Sequence, residues 1–180
     1  MKKIVLSGGP SCGKTTMVNE LKKEGYPIIE EVARKILSKK EINKENRNEL
    51  LKLQYQIGIK QIEEEAKSEK LYHNKPLVFQ DRSLIDAIAY YKVFLNFLHL
   101  HIEEDNIMRN RYHQVFILDR LPFKKDGVRI EKNDREAQRL HKEIILAYKL
   151  CGYNPIIVPV LPIKRRLEYI LDHIQMKGGN

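Results

Sequence analysis

Residues 4 to 17, IVLSGGPSCGKTTM, constrain the fold more than any other part of this 180-residue chain. An apolar run from Ile4 to Leu6 stops at a group of small residues, and a helical pattern begins at Lys14. Glycine allows the backbone to reverse sharply at such a point, because it carries no Cβ atom. A buried strand that turns directly into a helix predicts an α/β architecture.

The same alternation of apolar strand and amphipathic helix continues along the chain. Strands are predicted at Lys3–Ser7, Pro27–Glu30, Leu77–Asp81, Gln114–Asp119 and Pro155–Val160. Helices are predicted at Lys14–Glu24, Glu31–Lys39, Lys44–Lys70, Leu84–Glu103, Asp134–Leu150 and Ile163–Gln175. Right-handed strand–helix–strand units of this kind give a parallel sheet covered by helices on both faces. We therefore expect one domain, residues 1–180, with three layers and a five-stranded parallel sheet.

Composition favours a soluble cytoplasmic protein. The two cysteines, Cys12 and Cys151, lie far apart in sequence, which is typical of a reducing compartment. The N-terminal apolar run is too short for a signal peptide. The longest apolar segment contains Asp86 and Lys92, so we expect a buried helix there and no membrane span. The net charge of +9 comes from basic residues scattered along the chain, and we do not expect a nucleic-acid partner.

The turn between the first strand and the first helix matches G-x-x-x-x-G-K-[ST] at every fixed position, from Gly8 to Thr15. Backbone N–H groups in such a loop converge on phosphate oxygens, and the helix N-terminus adds partial positive charge. Lys14, which we expect to be solvated without a ligand, reaches the β- and γ-phosphates, and the Thr15 hydroxyl can ligate Mg²⁺. The predicted nucleotide-binding residues are Gly8, Gly9, Pro10, Ser11, Cys12, Gly13, Lys14, Thr15 and Thr16.

Two details of this loop bear on its chemistry. Cys12 either fills the turn as a small residue or acts as a redox-sensitive thiol, and the first role is favoured. The sequences NKEN and NKPL both lack the aspartate of the guanine-recognition motif N/T-K-x-D, so ATP is the expected nucleotide.

Carboxylates stand at the ends of three predicted strands: Glu31 after the second, Asp81 in the third and Asp119 in the fourth. The carboxyl ends of parallel strands line the ligand crevice of an open sheet. An apolar strand ending in aspartate typically supports Mg²⁺ opposite the phosphate loop, and both Asp81 and Asp119 fit this pattern. Asp81 is favoured because Arg82 follows it and supplies a cation for phosphate.

Two further segments accompany the sheet. Residues 41–70 are strongly charged with a narrow apolar stripe, and they form either an exposed helix packed along one edge or a helical insert over an acceptor site. The first alternative is favoured. Residues 119–139 are rich in arginine and turn-forming residues, and they predict a lid that closes over a transferring phosphoryl group. The candidate lid cations are Arg129, Arg135 and Arg139.

The loop, EEVAR at residues 30–34, FQDRSLIDAIAYY and LPFKKDGVR together resemble the AAA-type P-loop domain family related to ribosylnicotinamide kinases. The family's Glu-x-Ala-Arg element matches Glu31 and Arg34, and Asp81–Ser83 is similar to the Asp/Glu-Arg-Ser element of deoxynucleoside kinases. The resemblance covers nearly the whole chain and implies a P-loop NTPase fold, with the five strands in the order 2-3-1-4-5, and phosphoryl transfer. Ser83 replaces a second acidic residue and Phe123 a tryptophan, so the nicotinamide riboside substrate itself is not implied.

The sequence thus predicts Mg²⁺- and ATP-dependent phosphoryl transfer to a small nucleoside, nucleotide or ribosyl acceptor. Glu31 or Asp81 accepts the acceptor's proton, and Thr15 and Asp81 hold the metal. The cations Lys14, Arg82, Arg129 and Arg135 stabilise the transferred group. The alternatives are a regulatory module that hydrolyses ATP or GTP slowly and a nucleic-acid end kinase. The sequence indicates neither the acceptor nor the oligomeric state.

Overall fold

The computed structural model describes residues 1–37, 46–95, 112–124, 131 and 133–176. Its strands are β1 (Lys2–Ser7), β2 (Ile28–Ile29), β3 (Leu77–Asp81), β4 (Gln114–Leu118) and β5 (Ile156–Val158). Its helices are α1 (Lys14–Lys23), α2 (Val32–Leu37), α3 (Arg47–Leu71), α4 (Leu84–Tyr90), α5 (Asp134–Leu150) and α6 (Ile163–Met176).

All five strands join one sheet in the order β2-β3-β1-β4-β5, and every pairing is parallel. The predicted strand order and the predicted three-layer α/β class are therefore confirmed. Strand β1 lies at the centre, between β3 and β4, so the loop that follows it emerges in the middle of the sheet. This is the point where the strand order reverses and where open α/β sheets bind their ligands.

Successive residues of β1 point to opposite faces of the sheet, and each face has its own core. Ile4 and Leu6 pack with Met17 of α1 and Ile170 of α6. Val5 packs on the other face with residues of α4 and α5. A strand that is buried on both faces must be apolar at nearly every position, which explains the continuous apolar run in the sequence.

The helix after β3 departs from the sequence prediction. Helix α4 ends at Tyr90 and continues as a π-helical turn from Tyr91 to Leu95. The rest of the predicted Leu84–Glu103 helix lies outside the described residues. Helix α2 is described as Val32–Leu37, and the end of its predicted range also lies outside. Within the described part of the chain, no helix combines the length and the apolar character needed to cross a membrane.

Helix α3 packs through one face, and that face is wider than the apolar stripe in residues 41–70 predicts. Leu50, Leu53 and Ile57 form a third cluster with Tyr91. The buried face of α3 extends further through polar residues, which the apolar stripe does not reveal: Gln54, Gln61, Glu65 and Ser68. The helix therefore forms a wall of the domain interior.

Candidate active site

The N-terminus of α1 is open for an anion. Gly13 precedes the helix with φ of 81°, in the left-handed region that favours glycine, and no side chain caps the helix. In contrast, the side chains of Asn46, Ser83 and Asn133 cap helices α3, α4 and α5. The unpaired N–H groups of a helix N-terminus attract phosphate. The loop at residues 8–16 therefore has the geometry that its sequence motif predicts.

Helix α5 holds the beginning of this loop through a histidine. The Gly9 backbone N–H donates to Nδ1 of His141 at 3.0 Å. A Cβ atom on Gly9 would lie 2.7 Å from the Cβ atom of His141, so only glycine permits this approach. Burial lowers the pKa of His141 and so favours the neutral ring, which is the form that can accept a hydrogen bond from the Gly9 N–H.

The end of the loop is held by an arginine at the start of α6. Arg166 is 3% exposed, and its guanidinium donates to three backbone carbonyls. The acceptors are Cys12 at 2.7 Å, Asp119 at 2.8 Å and Pro159 at 2.8 Å. Arg166 thus joins the phosphate loop to the ends of β4 and β5. Cys12 beside it is 2% exposed, and burial raises the pKa of its thiol, which agrees with a space-filling role.

A chain of alternating charges lies behind the loop. The Lys14 ammonium contacts Asp81 directly and lies 3.2 Å from Oε2 of Glu31. Oε1 of Glu31 accepts from Nε of Arg82 at 2.8 Å. Lys14 is only 5% exposed, so the expectation that it is solvated is wrong. The carboxylates that follow β2 and end β3 bind it instead of water.

These contacts set the protonation of the site. Burial alone would raise the pKa of Glu31, but the Arg82 guanidinium and the Lys14 ammonium lower it to about 2. Burial opposes the charge on Lys14, yet Asp81 and Glu31 raise the pKa of the ammonium. Glu31 is therefore a carboxylate at neutral pH.

Arg82 has a strained backbone in support of this arrangement. Its φ is 67°, a left-handed conformation that costs a non-glycine residue roughly 1–3 kcal/mol. Besides Glu31, its Nη1 atom donates to the Gly8 carbonyl at 3.2 Å and to Oδ1 of Asp86 at 3.3 Å. Asp86 also accepts from Ser7 and Tyr148. The site thus keeps an unfavourable backbone in order to fix the guanidinium between the loop and Glu31.

The loop and Glu31 face one cleft of about 600 Å³, a volume typical of a small-molecule site. Its floor is the phosphate loop, and its walls come from α2, α3, the start of α4 and the segment after β4. The side chains on the walls are mainly apolar, with a few polar exceptions. The apolar ones include Val32, Ala33, Leu37, Ile57, Leu84 and Ala87, and the polar ones include Arg34, Gln54, Gln61, Tyr90 and Glu131.

The other predicted site residues differ in their placement. Thr15 and Thr16 are exposed and line the cleft. The Asp119 side chain is 51% exposed and lies near His141 rather than Lys14, so Asp81 is the carboxylate that the structure brings to the loop. Arg135 is exposed on the first turn of α5 and is not among the described residues that line the cleft. Arg129 lies outside the described residues, and its lid role stays a prediction.

Sequence reasoning missed several residues of the site. His141 and Arg166 lie outside the motifs and strand ends from which the site is predicted. Gln54 and Gln61 were hidden because the periodicity of α3 was judged from apolar residues alone. Their spacing of seven residues, which places them on one helix face with the apolar stripe, is the signal that could have identified them.

Comparisons with known proteins agree with this geometry. Residues 3–166 match a family model described as an AAA domain, and no curated protein matches the sequence. Deoxyadenosine kinase from M. mycoides with bound dATP is 20% identical, with a TM-score of 0.60 over 96% of this chain and 99% of that chain. The same kinase with the products dCMP and dCDP is 20% identical, with a TM-score of 0.62, over 97% and 99% of the two chains.

The NadR protein in complex with NR is also 20% identical, with a TM-score of 0.71. The match covers 99% of this chain and 51% of the NadR chain, so the present chain spans about half of that protein. At this identity, the structural likeness shows the fold. Because the family model covers most of the sequence, the chain belongs to the AAA domain family and has the fold of a P-loop NTPase.

Proposed function

We propose that this protein is a kinase that transfers the γ-phosphoryl group of ATP to a hydroxyl of a nucleoside, nucleotide or other ribosyl acceptor. The observation that carries the proposal is the shared cleft: an uncapped helix N-terminus and a partly buried carboxylate, Glu31, face one largely apolar chamber. The structural neighbours with bound nucleotides or NR add support for this class of acceptor.

The loop and its lysine bind the phosphates in this proposal. Backbone N–H groups of residues 11–16 hold the phosphate oxygens, and Lys14 exchanges Asp81 and Glu31 for the β- and γ-phosphates. Glu31, relieved of one cation, orients the acceptor hydroxyl and takes its proton as the oxygen bonds to phosphorus. The bond from the γ-phosphorus to the bridging oxygen breaks, and ADP leaves. Arg82 compensates the negative charge that develops nearby.

A magnesium ion fits the same residues. Within the described part of the chain, no three His, Cys, Asp or Glu side chains form a complete metal site. Mg²⁺ in such enzymes is held by one or two protein oxygens together with phosphates, and Thr15 and Asp81 supply oxygens of this kind. When bound, the ion neutralises charge on the phosphate oxygens.

A panel of nucleosides, nucleotides and vitamin ribosides tests the proposal. ADP formation and the phosphorylated product are measured for the wild-type protein and for Glu31→Gln. We expect one acceptor class to stimulate ADP formation, and the variant to lose most of this turnover while it retains ATP binding. Glu30→Gln, which changes the adjacent exposed carboxylate, is the matched control. ATP hydrolysis that no acceptor stimulates would favour the regulatory module instead.

A further inference from the structure

Glu65 on α3 is the centre of a buried hydrogen-bond network beside the cleft. Its side chain is 1% exposed, and it accepts from three different donors. Oε1 accepts from Nε2 of Gln61 at 3.0 Å, from Nε2 of Gln80 at 2.6 Å and from the Tyr112 hydroxyl at 3.0 Å. Neither the phosphate loop nor Glu31 takes part in these contacts, so the mechanism proposed above leaves the network without a role.

The network fixes the direction of two amide side chains. Both glutamines donate through Nε2 to Oε1 of Glu65, so each turns its NH₂ group toward the Glu65 carboxyl group. The consequence is visible at Gln80, a fully buried residue of β3 whose Oε1 atom has no hydrogen-bond partner among the described residues. An unpaired buried acceptor is costly, and the hydrogen bond that the Gln80 NH₂ group donates to Glu65 is the compensation.

Gln61 differs from Gln80 because it lines the cleft. Its NH₂ group is committed to Glu65, so its carbonyl oxygen is the atom that remains for a ligand. Within the described residues, this oxygen has no protein donor. Gln54, two turns earlier on the same face, is 5% exposed and has no hydrogen-bond partner among the described residues, so its amide can adopt either orientation.

The geometry points to Glu65 as a positioning residue that makes the cleft selective for acceptors carrying an N–H donor, such as an exocyclic amino or carboxamide group. This inference rests on the proposed function. The fixed Gln61 oxygen accepts a hydrogen bond from an amino group of the acceptor. A keto or carboxylate oxygen at the same place cannot donate a hydrogen bond and is repelled. Selectivity follows because a site with a committed hydrogen-bonding group rejects the analogue that leaves it unpaired.

The experiment compares acceptor pairs that differ at one group. The pairs are adenosine with inosine, cytidine with uridine, and nicotinamide riboside with nicotinic acid riboside. For the pair that the wild-type protein uses, we expect kcat/KM to favour the amino or amide member about tenfold, the effect of one hydrogen bond. In Glu65→Gln this ratio should fall toward one, while the KM for ATP stays unchanged. The ratio does not depend on the folded fraction, since both acceptors are measured on one preparation.

Glu69→Gln is the matched control, because Glu69 lies one turn further along α3 and its exposed carboxylate pairs with Lys3. It should keep the wild-type ratio. If Glu65→Gln does not fold, Gln61→Met removes the carbonyl oxygen directly and should abolish the preference. An unchanged ratio in either variant, or turnover of a pair without preference by the wild type, would overturn the inference alone. Turnover of no acceptor would overturn the proposed function and the inference together.

Discussion

At the scale of single residues, Lys14 meets two opposed requirements, since it must be available to phosphate and yet it is buried against Asp81 and Glu31. Removing a buried cation leaves its carboxylate partners uncompensated. We therefore expect Lys14→Ala to lower the free energy of unfolding by about 3–5 kcal/mol. Phosphoryl transfer should fall by about 10²–10³, the effect of losing one preorganised donor.

Thermal unfolding and single-turnover transfer measure these two effects. The double variant Lys14→Ala with Asp81→Asn should recover part of the stability, because it removes one orphaned charge, but none of the transfer. Lys22→Ala, which breaks the exposed pair with Glu30, is the control and should change neither quantity appreciably. Wild-type turnover in folded Lys14→Ala would contradict the whole assignment of the loop.

His141 gives the site a dependence on pH. Its folded-state pKa is lowered by burial, while Asp119 partly opposes this effect and Arg120 adds to it. A group with a depressed folded pKa contributes its full stability above the unfolded value, about 6.5, and this contribution is lost as pH falls through the folded pKa. Protonation also removes the acceptor of the Gly9 N–H.

We expect His141→Asn to lose less stability than the wild type as the pH is lowered from 7 to 5. The Asn side-chain oxygen can accept the hydrogen bond from the Gly9 N–H, and it does not become protonated in this range. The difference in melting temperature between the two proteins across this range is the measurement. His73→Asn, at an exposed histidine, should follow the wild-type curve. Parallel curves for wild type and His141→Asn would show that the Gly9 contact does not depend on protonation.

At the scale of elements, α6 is connected to the phosphate loop through Arg166, although the two lie far apart in sequence. Arg166→Lys retains the charge but cannot reach three carbonyls in a planar fork. We expect ATP affinity to fall about tenfold, since hydrogen bonds of charged groups contribute about 1.5–3 kcal/mol. Titration of the nucleotide measures this change. Arg165→Lys alters the exposed neighbour and should leave the affinity intact, and equal affinities in both variants would make Arg166 a purely structural residue.

At the scale of the whole molecule, the net charge of +9 tests the kinase proposal against a nucleic-acid end kinase. A protein that makes 6–10 contacts with nucleic-acid phosphates loses about 10³–10⁵ in affinity between 50 and 200 mM salt. For a small acceptor in the cleft we expect less than about a fivefold change in KM over that range, because few phosphates are engaged. A steep rise in the KM for the acceptor as the salt concentration increases would instead favour a nucleic-acid acceptor.

The sequence by itself determined the features that depend on local physical chemistry. Glycine spacing and the apolar run before it predicted the phosphate loop, and buried parallel strands require continuous apolar segments such as Ile4 to Leu6. The parallel sheet followed from the alternation of strands and helices together with the handedness of their connections. Helix α5 begins and ends where its periodicity predicts.

Only the tertiary structure decided which distant side chains meet. The contact of Lys14 with Asp81 and the hydrogen bond from Arg166 to the Cys12 carbonyl join residues more than sixty positions apart. No local sequence pattern indicates such contacts. The polar face of α3 could not be predicted for a related reason. In the sequence, Gln61 and Glu65 are typical of surface positions, and only the fold brings Gln80 of β3 and Tyr112 to Glu65 as hydrogen-bond donors. A polar side chain can be buried at low energetic cost only where a hydrogen-bond partner lies beside it. The position of that partner is determined by the folded chain and not by the local sequence.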